Sequence, residues 1–298
     1  MKFDHAFLKE EIRCDFLVSE KRKKVWNVEL QLLAKFDEVC KKYNLTYFAE
    51  YGTLLGAVRH KGFVPWDDDI DINMFRDDYM KLLEIAPYEF TEPYILQNTY
   101  NGLIVQAFSK LRDSRTTGIE YTDMDIDFNQ GIFIDILPLD DAPDDKNFSQ
   151  NVLAVQREVW QTVIIADRMR YYIDEGVSFH LDTDTLNDLL NLPVRERFRQ
   201  FESLNLSHSG TSENVNYIVH EIRNPANFRK KEWYADVVYL PFEYLTVPVP
   251  VGYDQILQYH YGNYHEFVQH GSSHENVFLD PDKPYRYYME HLEEIQKL

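Results

Sequence analysis

Apolar residues recur at helical spacing through the first long segment of the chain. Between Ser19 and Lys42, Trp26, Leu30, Leu33, Phe36, Val39 and Cys40 return every three or four positions among charged residues, which predicts an amphipathic helix ending at Tyr43-Asn44. A short β-rich run, Leu45 to Tyr51, follows. Gly52-Thr53 then opens a second short helix through Val58, with Thr53 as its N-cap. The period changes to two at Asp69-Ile70-Asp71-Ile72-Asn73-Met74, which predicts a strand with Asp69, Asp71 and Asn73 on one face. A helix should begin at Asp77-Asp78 and run to about Ala86. Leu103 to Leu111 reads as a strand. Gly131 to Leu137 reads as another, apolar enough to be buried on both faces.

Pro138 to Lys146, rich in Asp and Pro, reads as a linker, and the pattern changes beyond it. Phe148 to Ile173 and Asp182 to Leu206 look helical. The C-terminal third mixes β-like pieces, notably Phe242 to Val251, with a helix near Asp254 to His260. The expected organisation is a catalytic α/β half, residues 1–145, and a mainly helical region, 146–298, that packs back on it to complete the substrate site.

Composition narrows the function. The 298 residues carry a formal charge of −19, which argues against nucleic acid or anionic lipid as partner, since Lys and Arg supply most of that affinity. A small anionic substrate would need a local basic pocket plus metal ions. No apolar run approaches the ~18 residues of a membrane span. The first residues lack the apolar core of a signal peptide. The two cysteines, Cys14 and Cys40, suggest neither a disulfide framework nor a thiolate metal site. The expectation is a soluble, cytoplasmic protein.

One stretch concentrates the chemistry. From Gly52 to Asp71 the chain offers a small-residue helix start, a basic triplet Arg59-His60-Lys61, and four carboxylates, Asp67, Asp68, Asp69 and Asp71. Backbone donors at a helix start bind anions. Two carboxylates spaced D-x-D on a strand share a face and can hold Mg²⁺, or Mn²⁺, against a phosphate. Asp69 and Asp71 are therefore the leading metal ligands; Asp67 and Asp68 are either loop ligands or hydrogen-bond acceptors behind them. Asp135 is an acid inside an apolar strand and needs a cation, a metal or a hydrogen-bond network. It is a candidate third ligand that could also take a proton from a hydroxyl. Gly52, Thr53, Arg59 and Lys61 are candidate phosphate contacts, as are Lys110 and Arg112, which share a strand face. Asp123 to Asn129 looks like the start of a calcium loop but lacks its glycine and its terminal acid. His265, His270 and His274 read as a polar surface loop rather than a metal site.

Tyr51 to Asp71 resembles the signature of the LicD family, fukutin-related proteins of the nucleotidyltransferase-like superfamily. Gly131-Ile-Phe-Ile-Asp-Ile-Leu-Pro-Leu-Asp140 resembles the family's second block. Phe242-Glu243, Val247 to Asp254, Leu257 and Tyr261-Gly262 resemble its C-terminal block. The likeness spans about residues 25–265. After Tyr261-Gly262 the chain reads Asn-Tyr-His-Glu-Phe, where a Pro-rich continuation is expected. The resemblance implies a mixed sheet flanked by helices, with a nucleotide phosphate at Gly52-Thr53. It implies magnesium on Asp69 and Asp71, and Asp135 as the third carboxylate. It also implies transfer of a phospho-alcohol from a CDP-activated donor to a sugar hydroxyl: phosphocholine from CDP-choline to a teichoic acid or lipopolysaccharide precursor, with a lipid-linked acceptor placing the protein at the inner face of the membrane. The alternatives are a ribitol- or glycerol-phosphate donor, nucleotidyl transfer, or a nucleotide- or glycan-binding protein without catalysis.

Overall fold

The computed structural model describes residues 6–102, 105–142, 146–210, 212–221, 229–269 and 276–295. A hairpin of β1 (Glu11–Arg13) and β2 (Phe16–Val18) leads into α1 (Glu20–Tyr43). Ser19 caps α1, its side chain accepting from the Arg22 amide, and Asn44 closes it in the left-handed conformation. The apolar stripe read from the sequence is buried: Trp26, Leu30, Leu33, Phe36, Val39 and Cys40 are all under 2 % exposed. At roughly 1.5–3 kcal/mol per large side chain, this stripe anchors α1 to the sheet.

The sheet is mixed. Its central strands are β4 (Asp71–Phe75) and β8 (Ile132–Ala142), which run parallel, with β3 (Phe48–Ala49) antiparallel on the far edge of β4. The other edge of β8 is shared. Its first half pairs with β6 (Ser109–Asp113), which carries β5 (Tyr94–Gln97) beyond it. Its last three residues pair with β9 (Asn214–Asn216), which carries β10 (Arg229–Lys230). Besides the β1–β2 hairpin, two ribbons among the described residues lie apart from this sheet: β7 (Thr117–Glu120) with β13 (Val277–Asp280), and β11 (Val237–Phe242) with β12 (Leu245–Pro250). Ile72, Met74, Ile134 and Ile136, all at most 1 % exposed, join the main core with the α1 stripe. The fold is the mixed sheet flanked by helices that the sequence suggests.

The structure corrects several boundaries. The β-rich run after α1 is only two residues of strand, because Tyr51 already begins α2 (Tyr51–Arg59). The D-x-D strand begins at Asp71, so Asp69 lies in the segment leading into it. The next helix, α3, runs Arg76–Glu89. The strand expected from Leu103 starts at Ser109; residues 103–104 lie outside the described set.

The expected linker from Pro138 is wrong for its first five residues, which continue β8 to Ala142. The Asp135 amide donates to Ile70 O, toward β4, so alternate amides along β8 point the other way and the missing N–H of Pro138 would too. There the β6 pairing has ended at Ile136 and the β9 pairing starts only at Asp140, so no donor is missed.

The two long helices expected beyond it are four: α4 (Lys146–Ile164), α5 (Ala166–Asp174), α6 (Thr183–Asn191) and α7 (Val194–Leu206). Pro193 separates the last pair, since the residue before a proline is disfavoured in helix. A buried clamp ties this layer to the sheet. Arg76 makes two bonds to Asp140, at 2.7 and 2.8 Å, and one of 2.8 Å to Glu202 of α7. After a short α8 (Ile218–Glu221), α9 (Tyr253–Tyr261) follows the β11–β12 ribbon, and α10 (Tyr285–Met289) and α11 (Leu292–Ile295) end the described chain.

Candidate functional site

The acidic residues meet where β4 begins. In the parallel register Asp71 stands opposite Asp135, and in the antiparallel register Asp135 stands opposite Lys110. Directly paired residues project from the same face, so two acids and an amine form one row across three strands. The Lys110 ammonium lies 3.7 Å from Asp135, bonds Glu120 at 2.9 Å, and sits 3.6 Å from the centre of the Phe133 ring.

The rest of the D-x-D stretch is held from its backbone. Asp67 O accepts from both Arg22 and Trp26 of α1, each at 2.9 Å. The Asp71 amide donates to the Thr53 hydroxyl at 2.9 Å. Thr53 is therefore no N-cap: α2 starts two residues earlier, flanked by Glu50, and the Thr53 hydroxyl instead fixes the backbone of Asp71. Gly52 faces the acidic loop at close range. A Cβ there would fall 2.1 Å from Asp67 Oδ2, so only glycine lets this carboxylate approach the start of α2.

Burial and mutual repulsion work against ionising every carboxyl of the cluster. Burial pushes the Asp67 carboxyl up to about 8, and Asp69 beside it, by charge and hydrogen bond, adds to the shift. Burial raises Asp71 well above the carboxylate range, with Asp69, Asp135, Asp67 and Glu50 adding repulsion. Two carboxyls that hydrogen-bond each other need a shared proton. Among the described residues, no three acidic, histidine or cysteine side chains already close around one point. The donors are all oxygen, the set that Mg²⁺ and Mn²⁺ prefer, and a divalent cation could replace the proton between Asp67 and Asp69. Asp69, Asp71 and Asp135 are thus compatible with the metal that the sequence motif implies, with Asp67 beside them.

The basic residues divide. Arg59 lines a cleft of about 200 Å³ together with Gly52, Trp66, Asp67 and Tyr261. It donates there to Tyr264 O and Glu266 O, at 2.8 and 3.0 Å, and lies over Phe267. His60 is neutral at pH 7, because burial and then Arg59 and Arg13 pull it down to about 4. Lys61 is exposed, and its carbonyl accepts the Glu243 amide. Arg112 is sealed at 1 % exposure, bonding Gln97 Oε1 and Gly131 O, so it braces the sheet rather than opening onto a phosphate. His270 and His274 lie outside the described residues; the His265 ring packs at a tilt against Tyr264, 4.2 Å between centres.

Sequence reasoning missed four residues. Glu29, on the buried face of α1, is 2 % exposed; burial and the charges of Asp68, Asp69 and Asp67 raise it well above the carboxylate range. An acid three residues after Trp26, inside the apolar stripe, is the signal that marks it. Glu50 is fully buried and gathers Arg229 and His260, each at 2.7 Å, and Asn73 at 2.5 Å. Burial alone would raise Glu50, but Arg229 and His260 hold it below the usual range. Its amide donates to Asp71 O, which ties this knot to the acidic row. Arg229 and His260 arrive from distant segments, and nothing local announces them.

This geometry sits inside a recognisable domain. Residues 44–162 match the family model described as LicD/FKTN/FKRP, nucleotidyltransferase domain. The chain carries a LicD-family domain. It is also 27% identical over 242 residues to the lipopolysaccharide cholinephosphotransferase LicD of Haemophilus influenzae, covering 79% of this chain and 88% of that protein. Shorter likenesses join it to uncharacterized proteins. One, from Rickettsia prowazekii, is 47% identical over 57 residues, 19% of this chain and 21% of that protein. Another, from Caenorhabditis elegans, is 34% identical over 82 residues, 28% of this chain and 20% of that protein. The family-model match, residues 44–162, contains Asp69, Asp71, Lys110 and Asp135. The Glu50 partners Arg229 and His260 lie beyond it. No helix among the described residues is long and apolar enough to cross a membrane.

Proposed function

We propose that this chain transfers phosphocholine from CDP-choline to a sugar hydroxyl of a cell-surface glycan precursor, with Mg²⁺ held by Asp69, Asp71 and Asp135. The observation that carries the reading is the row Asp71–Asp135–Lys110 beside the start of α2, within a LicD-family domain. The likeness to a lipopolysaccharide cholinephosphotransferase supports the choline donor and the glycan acceptor.

Bound magnesium would neutralise the phosphate oxygens and the charge on departing CMP. The chain's own groups do the rest. The α2 amides at Gly52 and Thr53 offer donors to a phosphate at the helix start. Arg59 lines the adjoining cleft. An acceptor hydroxyl attacks the β-phosphorus, the bond to the CMP oxygen breaks, and Asp135 takes the hydroxyl proton. Lys110, between Glu120 and Asp135, holds the Asp135 carboxylate in place. A CDP-activated donor suits the cytoplasm, and a lipid-linked acceptor suits the inner membrane face.

The test compares CDP-choline, CDP-ribitol and CDP-glycerol at equal concentration, with and without MgCl₂, following CMP release. CDP-choline should be preferred and should require the metal. Preference for either polyol donor would overturn the choline assignment, and absence of CMP release from all three would overturn the reading.

Gly52→Ala gives a second check. The new methyl must displace the Asp67 carboxylate, and misplacing a site group by about 1 Å costs roughly a hundredfold in rate. CMP release should fall accordingly while the circular dichroism spectrum holds. A variant with full activity would show that the contact between α2 and Asp67 does not matter to the reaction.

A further inference from the structure

A group-transfer enzyme needs two substrates to reach one centre from different directions, and the acidic loop is flanked by two clefts. The first, lined by Gly52, Arg59, Trp66, Asp67 and Tyr261, lies on the α2 side. The second, of about 370 Å³, is lined by Asp68, Arg22, Lys21, Tyr121 and Phe278, between the start of α1 and the β7–β13 ribbon. Adjacent residues of one loop, Asp67 and Asp68, thus face different clefts. A neighbouring groove of about 460 Å³ shares Lys21 and Phe278 with it and adds Asp280, Asp282 and Tyr288.

The linings differ in chemistry. The first has the helix start and Arg59, the features a nucleotide phosphate uses. The second presents the exposed ring of Tyr121 with amines and acids along it, while Phe278, and Tyr288 in the neighbouring groove, are buried at 7% and 5% exposure. Tyr121 is 41% exposed. Lys21 lies over the Phe278 ring at 5.6 Å, and Lys24 is paired with Asp282 at 3.0 Å. An exposed aromatic face among charged donors and acceptors suits a ligand whose ring faces are apolar and whose rims are hydroxyl-lined. This cleft also connects to the centre through the backbone. Tyr121 follows Glu120, and Glu120 bonds Lys110, the neighbour of Asp135.

We propose that the groove between the start of α1 and the β7–β13 ribbon is the acceptor site. It takes an oligosaccharide laid on Tyr121 and rimmed by Lys21 and Arg22, with its reactive hydroxyl at the Asp68 end. This assignment rests on the glycan-transfer reading of the acidic site.

The test uses a direct binding readout beside turnover. Core oligosaccharide released from Haemophilus influenzae lipopolysaccharide by mild acid is titrated into the wild-type chain, Tyr121→Ala and Lys21→Glu, with binding followed by saturation-transfer NMR and calorimetry. Both substitutions are at exposed positions outside the acidic site. Each should weaken the oligosaccharide roughly tenfold, the effect of losing a central aromatic or charged contact. Donor affinity and acceptor-free CMP release should stay at wild-type values. Unchanged oligosaccharide affinity in both variants, no oligosaccharide binding to the wild type, or an equal loss of donor affinity would each overturn the acceptor groove. If the oligosaccharide binds and both variants weaken it, yet no donor yields transfer, the groove stands and the transferase reading falls.

Discussion

Asp71→Asn should abolish CMP release and, in metal-free buffer at pH 8, make the protein more resistant to heat. The first effect follows from losing a ligand worth several kcal/mol of charge stabilisation, roughly a hundredfold or more in rate. The second follows from the electrostatics. Burial, then Asp69, Asp135, Asp67 and Glu50, raise the Asp71 carboxyl, and Asp67 is pushed up to about 8. An acid whose folded pKa exceeds its unfolded value favours folding while protonated. That contribution is complete below the unfolded value of about 4 and is lost as pH rises through the folded value. The metal-free wild type should therefore lose stability between about pH 4 and pH 8, and the asparagine should remove part of that loss. A divalent cation should restore it, with a larger gain in melting temperature at pH 8 than at pH 5, because protons compete for the same oxygens. Melting curves at both pH values, with MgCl₂ or a chelator, check this alongside CMP release. Normal turnover by Asp71→Asn would remove Asp71 from the reaction. A magnesium gain equal at both pH values would remove the metal from this cluster.

Arg229→Met should cost about 3–5 kcal/mol of folding stability, because it leaves Glu50, a carboxylate with no exposed surface, with a largely buried histidine and the neutral Asn73 amide but no permanent positive charge. The double variant Glu50→Gln/Arg229→Met should recover most of that loss, since the penalty lies in the uncompensated charge and not in the missing bond. The acid side carries its own signature. Glu50 is held below its ordinary value, so its contribution is present above about pH 4.3 and disappears as pH falls through the folded value. Arg229→Met should flatten or reverse that acid limb. Urea unfolding of the three proteins across pH 3–8 measures both effects. A double variant no more stable than Arg229→Met would mean that packing around the guanidinium, not its charge, is what matters.

The sequence was most legible where chemistry and periodicity coincide. The α1 stripe, the alternation after Asp71 and the apolar run around Asp135 all mark elements that exist, and Asp71 and Asp135 stand in register as a shared site requires. It was least legible where position depends on partners far along the chain. Pro138 looks like a strand ender until it is known that its amide side faces the interval between two neighbouring strands. Thr53 looks like a cap because a hydroxyl near a helix start usually is one; its partner is the Asp71 amide, eighteen positions on. Arg112 shares a face with Lys110, as the strand period requires, yet Gln97 and Gly131 occupy it. Glu50 reads as one more acid before a helix until Arg229 and His260 come to it from the far third of the chain.

The length of β8 has a consequence for how such a chain can vary. One unbroken strand carries Asp135 in the acidic row and, five residues later, Asp140 in the Arg76–Glu202 clamp. At about 3.3 Å per residue, the strand acts as a fixed ruler of roughly 16 Å between the acidic row and the point where the helical layer is fastened. The helices from 146 to 206 also pack Trp160, Phe198 and Phe201 into one apolar cluster with Leu137 and Ala142 of the strand, so their outward surfaces and connecting turns, and not that inner face, are free to change. An inserted or deleted residue between Asp135 and Asp140 has no such freedom: it turns every later side chain to the opposite face and takes the clamp out of reach of Arg76. Variation in this architecture should therefore accumulate in the helical layer and stop at the strand.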